Sequence, residues 1–332
     1  MNIYDALSLM LTELGYIFYV YSQKTYIKGH VINKNKVTKM VTKSLKPRPI
    51  DVKIKYNAEV ENFIRTIKEK LPYVDLTFMN NNLEDFLIVE KNKLKAINNG
   101  GSYDIIKNII EILIDDKSKS INHELLHLSS TYNNGKTIYA GFSQYQNNRL
   151  LIGRGLNEGY TAYLDSKLFG REDGYSIVKP YVMFIEKIVG EENMAKYYFT
   201  ADLNSLINHL SKYCDETMVY KLINNMDTLL YLIYYKKSSV DYYPKEDVEI
   251  IEKIINENAK IVTKMFINLV VDKVETENLK DEIKAFLNIF MWSISDKNLN
   301  KSYINMNLFE SEIEKYLNEI KKTKEGQAQH KI

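Results

Sequence analysis

Ten consecutive residues constrain this chain more than any other stretch. Ile121-Asn122-His123-Glu124-Leu125-Leu126-His127-Leu128-Ser129-Ser130 places Ile121, Leu125 and Leu128 at the i, i+4 and i+7 spacing of an apolar helical stripe. Ser118 and Ser120 precede it as candidate N-caps. A helix that buries this stripe also draws two imidazoles and a carboxylate out of water, and each needs a partner there. Four residues of helix bring His123 and His127 to one face, one turn apart. Two imidazoles so placed can bind one zinc ion through nitrogen. Glu124 follows the first histidine and points about 100° further round the helix, toward the open side of such a metal. There it can act as a general base on a water without being a ligand.

The rest of the chain must supply the missing ligand and the scaffold. With 332 residues the chain is long enough for one large or two medium domains. Its 45% hydrophobic and 27% charged residues are those of an ordinary globular protein. A net charge of +2 selects no partner by bulk electrostatics. Only 13 Gly and 5 Pro argue against an all-β fold built on tight turns. The single cysteine, Cys214, excludes an intramolecular disulfide and a cysteine-rich zinc site, and is expected to be a buried inert thiol. The apolar run from Ala6 to Tyr21 is interrupted by Glu13 and has no basic residue before it, so neither a signal peptide nor a membrane span is expected. A cytoplasmic location is expected, with unconventional secretion left open.

Along the chain, residues 3–14 read as a helix and Tyr16–Tyr21 as a strand. Residues 24–55 hold ten Lys or Arg against one acid, Asp51. They read as a pair of strands with solvated lysine faces rather than as a patch for an anionic partner, since no aromatic interleaving or nucleic-acid motif accompanies them. Lys46-Pro47-Arg48-Pro49 is a break, and residues 57–70 form a helix stopped by Pro72. Val74–Met79 and Phe86–Ile97 read as strands on either side of an Asn80-Asn81-Asn82 turn. Asn98-Asn99-Gly100-Gly101 is a further break. Residues 103–115, with Ile105, Ile106, Ile109, Ile110 and Leu113, read as an apolar helix leading into the histidine helix. Thr137–Tyr145 and Arg149–Ile152 pair as a hairpin around Gln146-Asn147-Asn148. Helices follow near 157–169, 177–189, 191–199, 203–213, 216–235, 245–272, 277–293 and 308–322, several bounded by Gly170, Gly190 and Pro244. Residues 1–155 are therefore expected to form an α/β lobe ending in the histidine helix and a hairpin. Residues 156–323 form a helical lobe, and 324–332 a frayed tail.

A catalytic zinc takes three protein ligands and keeps one position open. Beginning 28 residues beyond His127 stands Gly155-Leu156-Asn157-Glu158-Gly159-Tyr160-Thr161-Ala162-Tyr163. Asn157 can cap a helix whose first turn holds Glu158, and a helix start is a rigid place for a ligand.

His123-Glu124-Leu125-Leu126-His127 followed by Asn157-Glu158-Gly159-Tyr160-Thr161-Ala162 resembles the gluzincin metallopeptidases, whose aminopeptidase branch carries a similar Asn-Glu-Gly-aromatic-Ala segment. The match spans about fifty residues, Ile121 to Phe169. It implies a zincin-like α+β fold, with an α/β lobe, a helical lobe and substrate between them. It implies Zn2+ held by His123, His127 and Glu158, with Glu124 as general base and a peptide or protein substrate. In related enzymes a Tyr or His of the helical lobe stabilises the oxyanion, and His209, Tyr213 and Tyr220 are the candidates here. The chain departs from the pattern at three points. Its spacing from His127 to Glu158 is longer than in the typical aminopeptidase. No Gly-x-Met-Glu-Asn segment for recognising a free amino terminus is found, which leaves exo- and endopeptidase activity both open. Ala162 stands where the thermolysin-like branch has an Asp, so Asp165 or Thr161 becomes the candidate to orient a histidine. Two other functions fit the sequence: a non-catalytic zinc-containing binding or regulatory protein, and a peptidase dedicated to clearing one cytoplasmic partner. No nucleic acid is expected as a partner, and the oligomeric state is open.

Overall fold

The computed structural model describes residues 57–91, 100–113, 120–147, 149–171, 175–235 and 244–270, with Glu314, Lys315, Asn318 and Lys322. The expected helix at 3–14, the strand at 16–21, the basic 24–55 stretch, the helix at 277–293 and the 324–332 tail lie outside these residues. The described residues form a mixed α+β protein that is mostly helical. All its strands precede Gly153, and its regular structure beyond that point is helical.

Helix α1, Asn57–Lys70, forms where the sequence predicts it. Val60, Phe63 and Ile67 recur on one face and are buried, followed by Leu71 just past its end. Glu59 in the first turn and Lys68 and Lys70 in the last complement the helix dipole. The next segment corrects the sequence reading. Instead of a strand at Val74–Met79 and a turn at Asn80-Asn81-Asn82, helix α2 runs through Thr77–Leu83. Asp75 Oδ1 accepts from the Thr77 amide at 2.8 Å and the Thr77 hydroxyl at 2.6 Å, a local bond that starts the helical turn. Asn82 Nδ2 then donates to the carbonyls of Leu128 and Thr131, both at 2.8 Å. Those distant acceptors draw the asparagines into a helix and away from a turn.

A three-stranded sheet follows, β1 Leu87–Lys91, β2 Gly101–Asp104 and β3 Ile109–Leu113, in the order β1-β3-β2. Strand β3 pairs in parallel with β1 and antiparallel with β2. Residues 103–113 therefore do not form the helix expected over 103–115. The isoleucines satisfy helical and strand spacing alike; pairing with β1 and β2 decides, and the turn chemistry accommodates it. Asp104 Oδ1 accepts from the amides of Ile106 and Lys107, and Asn108 takes a left-handed φ of 54°. The chain reverses there, and Ile110 and Ile112 bury on alternate positions.

Helix α3, Ile121–Ser129, carries the histidines. A four-stranded antiparallel meander comes next: β4 Thr131–Asn133, β5 Thr137–Ala140, β6 Ser143–Gln146 and β7 Arg149–Ile152. The expected hairpin is its β6–β7 half. The expected first strand is split at Gly141-Phe142, where Gly141 has a φ of 53°. Beyond it lie α4 Arg154–Phe169, α5 Lys179–Val189, α6 Glu191–Phe199, α7 Leu203–Leu210 and α8 Glu216–Leu230. A π-helical turn Tyr231–Tyr235 and α9 Lys245–Val270 complete the series. The expected 216–235 helix is thus α-helical only to Leu230.

By internal contacts the chain groups into two compact units. One holds the described parts of Met1–Ile152, Leu164–Glu172 and Ala195–Asp202, and the other those of Gly153–Tyr163, Asp173–Met194 and Leu203–Ile332. In the first, Phe63, Met79, Ile110, Leu125 and Phe142 are fully buried, and Phe63 stacks on Phe169 with centroids 5.4 Å apart. In the second, Tyr160, Tyr181, Leu222, Met226 and Ile255 are fully buried. No helix among the described residues is long and apolar enough to cross a membrane.

Candidate metal centre

Helix α3 is buried along almost its whole length, with Ile121, Leu125 and Leu128 in the core. A buried helix end must satisfy its last carbonyls, and here the adjoining residues do so. Ser129 Oγ and Ser130 Oγ donate to Leu126 O, and Thr131 Oγ1 donates to His127 O at 2.7 Å. Asn82 supplies Leu128 O. Ser120 takes the N-cap position without the side-chain cap bond.

On this rigid element the histidines converge. His123 Nε2 and His127 Nε2 are 3.2 Å apart, with ring planes at 75°. Two nitrogens each about 2.0–2.1 Å from one tetrahedral zinc ion lie roughly 3.3 Å apart, so the pair has the separation a shared ion requires. Glu158 completes the group: one ligand atom from each of His123, His127 and Glu158 lies within 4.8 Å of the other two. Both histidines are 8% exposed, and the Glu158 side chain is 12% exposed. Two imidazoles and a carboxylate are a donor set suited to a first-row divalent cation, and this group can hold a metal ion.

The other ring nitrogen of His123 also faces a carboxylate. Asp165 Oδ2 lies 3.9 Å from His123 Nδ1, a charge contact longer than a hydrogen bond, and 3.3 Å from Arg171 Nη1. A carboxylate at Nδ1 favours the proton there and leaves Nε2 as the free electron pair for a metal. Of the two candidates the sequence offered for orienting a histidine, Asp165 is the one that faces His123 Nδ1. The Thr161 hydroxyl donates back along its own helix to Asn157 O at 2.8 Å.

Glu124 is buried at 6% exposure in the first turn of α3. Strand β2 reaches it at Gly101. A Cβ there would lie 3.0 Å from Glu124 Cγ and Ser120 Oγ, and 3.2 Å from Glu124 Oε1. The glycine that reads as part of a break in the sequence gives Glu124 its space.

The expected cap of α4 requires correction. The helix starts at Arg154, three residues before Asn157, whose amide already donates to Gly153 O at 2.9 Å. The start is held from α8: Asp227 Oδ2 accepts from the Gly153 amide at 2.8 Å and Oδ1 from the Gly155 amide at 2.6 Å. A carboxylate at a helix N-terminus meets unsatisfied amides and the positive end of the dipole. Burial still pushes the Asp227 carboxyl up to about 6, against the pull of those amides and of Arg154. Gly155 permits this approach, since a Cβ would stand 2.3 Å from Met226 O. Further along α4, Tyr160 and Tyr163 donate to the two oxygens of the buried Glu186 carboxylate, at 3.0 and 2.8 Å.

His209 stacks on Tyr213 at 6.4 Å, and burial, then Lys212, holds its imidazole below the ordinary histidine range. Tyr220 is exposed on α8. Cys214 is buried as expected, and burial raises its thiol to about 11, which keeps it protonated at neutral pH. Sequence reasoning did not find Gly101, Arg154, Arg171, Asp227 or Tyr235. Asp227 and Tyr235 act on α4 from more than seventy residues away, and no local pattern marks them.

Fold and site together define a mixed α+β, mostly helical protein with a His-His-Glu group able to hold a metal ion. Comparison with family models, with curated proteins and with solved structures finds no match to this chain.

Proposed function

We propose that this chain is a zinc-dependent metallopeptidase of the gluzincin type, with a zincin-like fold. His123, His127 and Glu158 hold the zinc and Glu124 is the general base. The observation that carries the reading is the convergence of those three ligand atoms within 4.8 Å, with Glu124 on the same buried helix as two of them. A bound zinc ion would supply Lewis acidity, polarising the scissile carbonyl and making a water easier to deprotonate. The chain's own residues do the rest. Asp165 at Nδ1 holds the His123 ring and its tautomer. Glu124 takes the proton from the attacking water and delivers it to the departing amine as the C–N bond breaks. Gly101 leaves the Glu124 carboxylate room to reach both positions.

The test combines metal analysis of the purified chain with chelator-sensitive cleavage of a mixed peptide library. Wild type is expected to carry one zinc and to cleave. Glu124→Gln should keep the zinc and lose at least a thousandfold in rate, within the usual range for a general base acting on a hydrolytic step. Glu158→Ala should lose the metal. Full cleavage by Glu124→Gln would sink the general-base assignment. A wild-type protein that holds zinc yet cleaves nothing, including proteins of a cytoplasmic extract, would point to a non-catalytic zinc protein.

A further inference from the structure

We propose that Arg154, gripped by Tyr235 of the π-helical turn, is a positioning residue that sets the Glu158 carboxylate for metal binding; this rests on the reading of Glu158 as a ligand. Arg154 and Glu158 are one turn apart on α4, with Arg154 Nε 3.9 Å from Glu158 Oε1. An arginine on the first turn of a helix ordinarily swings through many rotamers, and fixing it costs conformational entropy. Here it is held on its far side. Arg154 Nη2 donates to the Tyr235 hydroxyl oxygen at 2.5 Å, and its guanidinium carbon lies 4.1 Å from the centre of the Tyr235 ring. Stacking and the hydrogen bond act on the same planar group.

The π-helical turn is what makes this grip available. Asp227 and Tyr235 are eight residues apart. At about 100° per residue, eight α-helical steps would leave them roughly 80° apart around the axis. A π-helix bonds i to i+5 and advances roughly 80° per residue, so four such steps at the end bring Tyr235 to within roughly 10° of Asp227. One face of α8 and its π-helical extension therefore holds three successive residues. Asp227 takes the amides of Gly153 and Gly155, and Tyr235 takes the side chain of Arg154 between them. Arg154 is thereby directed along α4 to Glu158.

The sign of the charge effect makes the inference testable. Arg154 is a cation beside a proposed cation site. By Coulomb's law alone, removing it would tighten the binding of a divalent ion. If Arg154 positions Glu158, removing it weakens binding, and outer partners of metal ligands are typically worth about 10–100-fold in affinity. The measurement is Zn2+ affinity of the full chain by competition with a chromophoric chelator, together with the visible absorption of the Co2+-loaded protein. Arg154→Met is expected to weaken Zn2+ about tenfold and to change the Co2+ bands. Tyr235→Leu should weaken it by several-fold, and Tyr235→Phe, which keeps the ring face, by less. Unchanged or tighter binding in both Arg154→Met and Tyr235→Leu overturns the proposal. Weakening in Arg154→Met alone overturns the part assigned to Tyr235. If Arg154→Met does not fold, by circular dichroism, Tyr235→Leu decides. Failure of the ligand reading shows differently: wild type takes up no metal, or Glu158→Ala binds as wild type does, and the proposal falls with it.

Discussion

Helices α3 and α4 carry the three candidate ligands and are held by different means. In α3, eight of nine residues are buried, and its terminal carbonyls are satisfied largely by Ser129, Ser130 and Thr131, the residues that end it or follow it. Position on α3 is set by helical periodicity and by burial. The start of α4 is held by Asp227, 74 and 72 residues from the amides it caps. Its middle is tied to Glu186, 26 and 23 residues from the tyrosines that bind it. A locally specified helix fixes its side chains relative to one another. A helix specified from a distance depends on partners elsewhere in the chain.

Three measurements can break or sharpen this contrast. The largest effect is expected at α3. Leu125→Ala removes a fully buried side chain from its centre and should cost about 3–4 kcal/mol in urea unfolding, with loss of metal uptake. A cost under about 1 kcal/mol would show that burial does not hold α3. The next concerns the cap of α4. Asp227 has its folded-state carboxyl raised to about 6 from 3.8, so the folded state binds its proton more tightly than the unfolded chain does. The resulting stability is fully present below pH ~3.8 and is lost as pH rises through about 6. Stability curves of wild type and Asp227→Asn should therefore diverge between pH 4 and 7, with wild type losing about 2 kcal/mol relative to the variant. Parallel curves would remove the buried titration from the account. The smallest effect is at Gly101. Adding a methyl group in Gly101→Ala forces Glu124 to give by a few tenths of an ångström. Cleavage should slow by several-fold, with zinc affinity and thermal stability close to wild type. Unchanged kcat would show that Glu124 has more room than the strand leaves it.

The same division runs through what could be read from the sequence. The histidine helix is legible because most of what builds it is local: the apolar stripe, the four-residue return of the imidazoles, and the hydroxyl run at its end. Helix α1 and the helices bounded by Gly170, Gly190 and Pro244 are legible for the same reason. The failures lie where a local pattern is ambiguous and a distant group decides. Ile105, Ile106, Ile109 and Ile110 fit a helix or a strand, and pairing with β1 and β2 settles them as a turn and a strand. Asn82 resembles a turn residue until it meets the carbonyls of Leu128 and Thr131. Asn157 resembles a cap until Asp227 supplies one three residues earlier.

By itself, then, the sequence determined the chemistry of the candidate ligand set and the spacing of its first two members. Both are properties of residue type and of the 3.6-residue helical period. Only the tertiary structure decided that Glu158 comes within ligand distance of the histidines, that Asp165 rather than Thr161 faces His123 Nδ1, and that Gly101 leaves space for Glu124. Each of these is a contact between segments far apart in the chain. Its energy comes from burial and hydrogen bonding across the fold, so no window of neighbouring residues contains it.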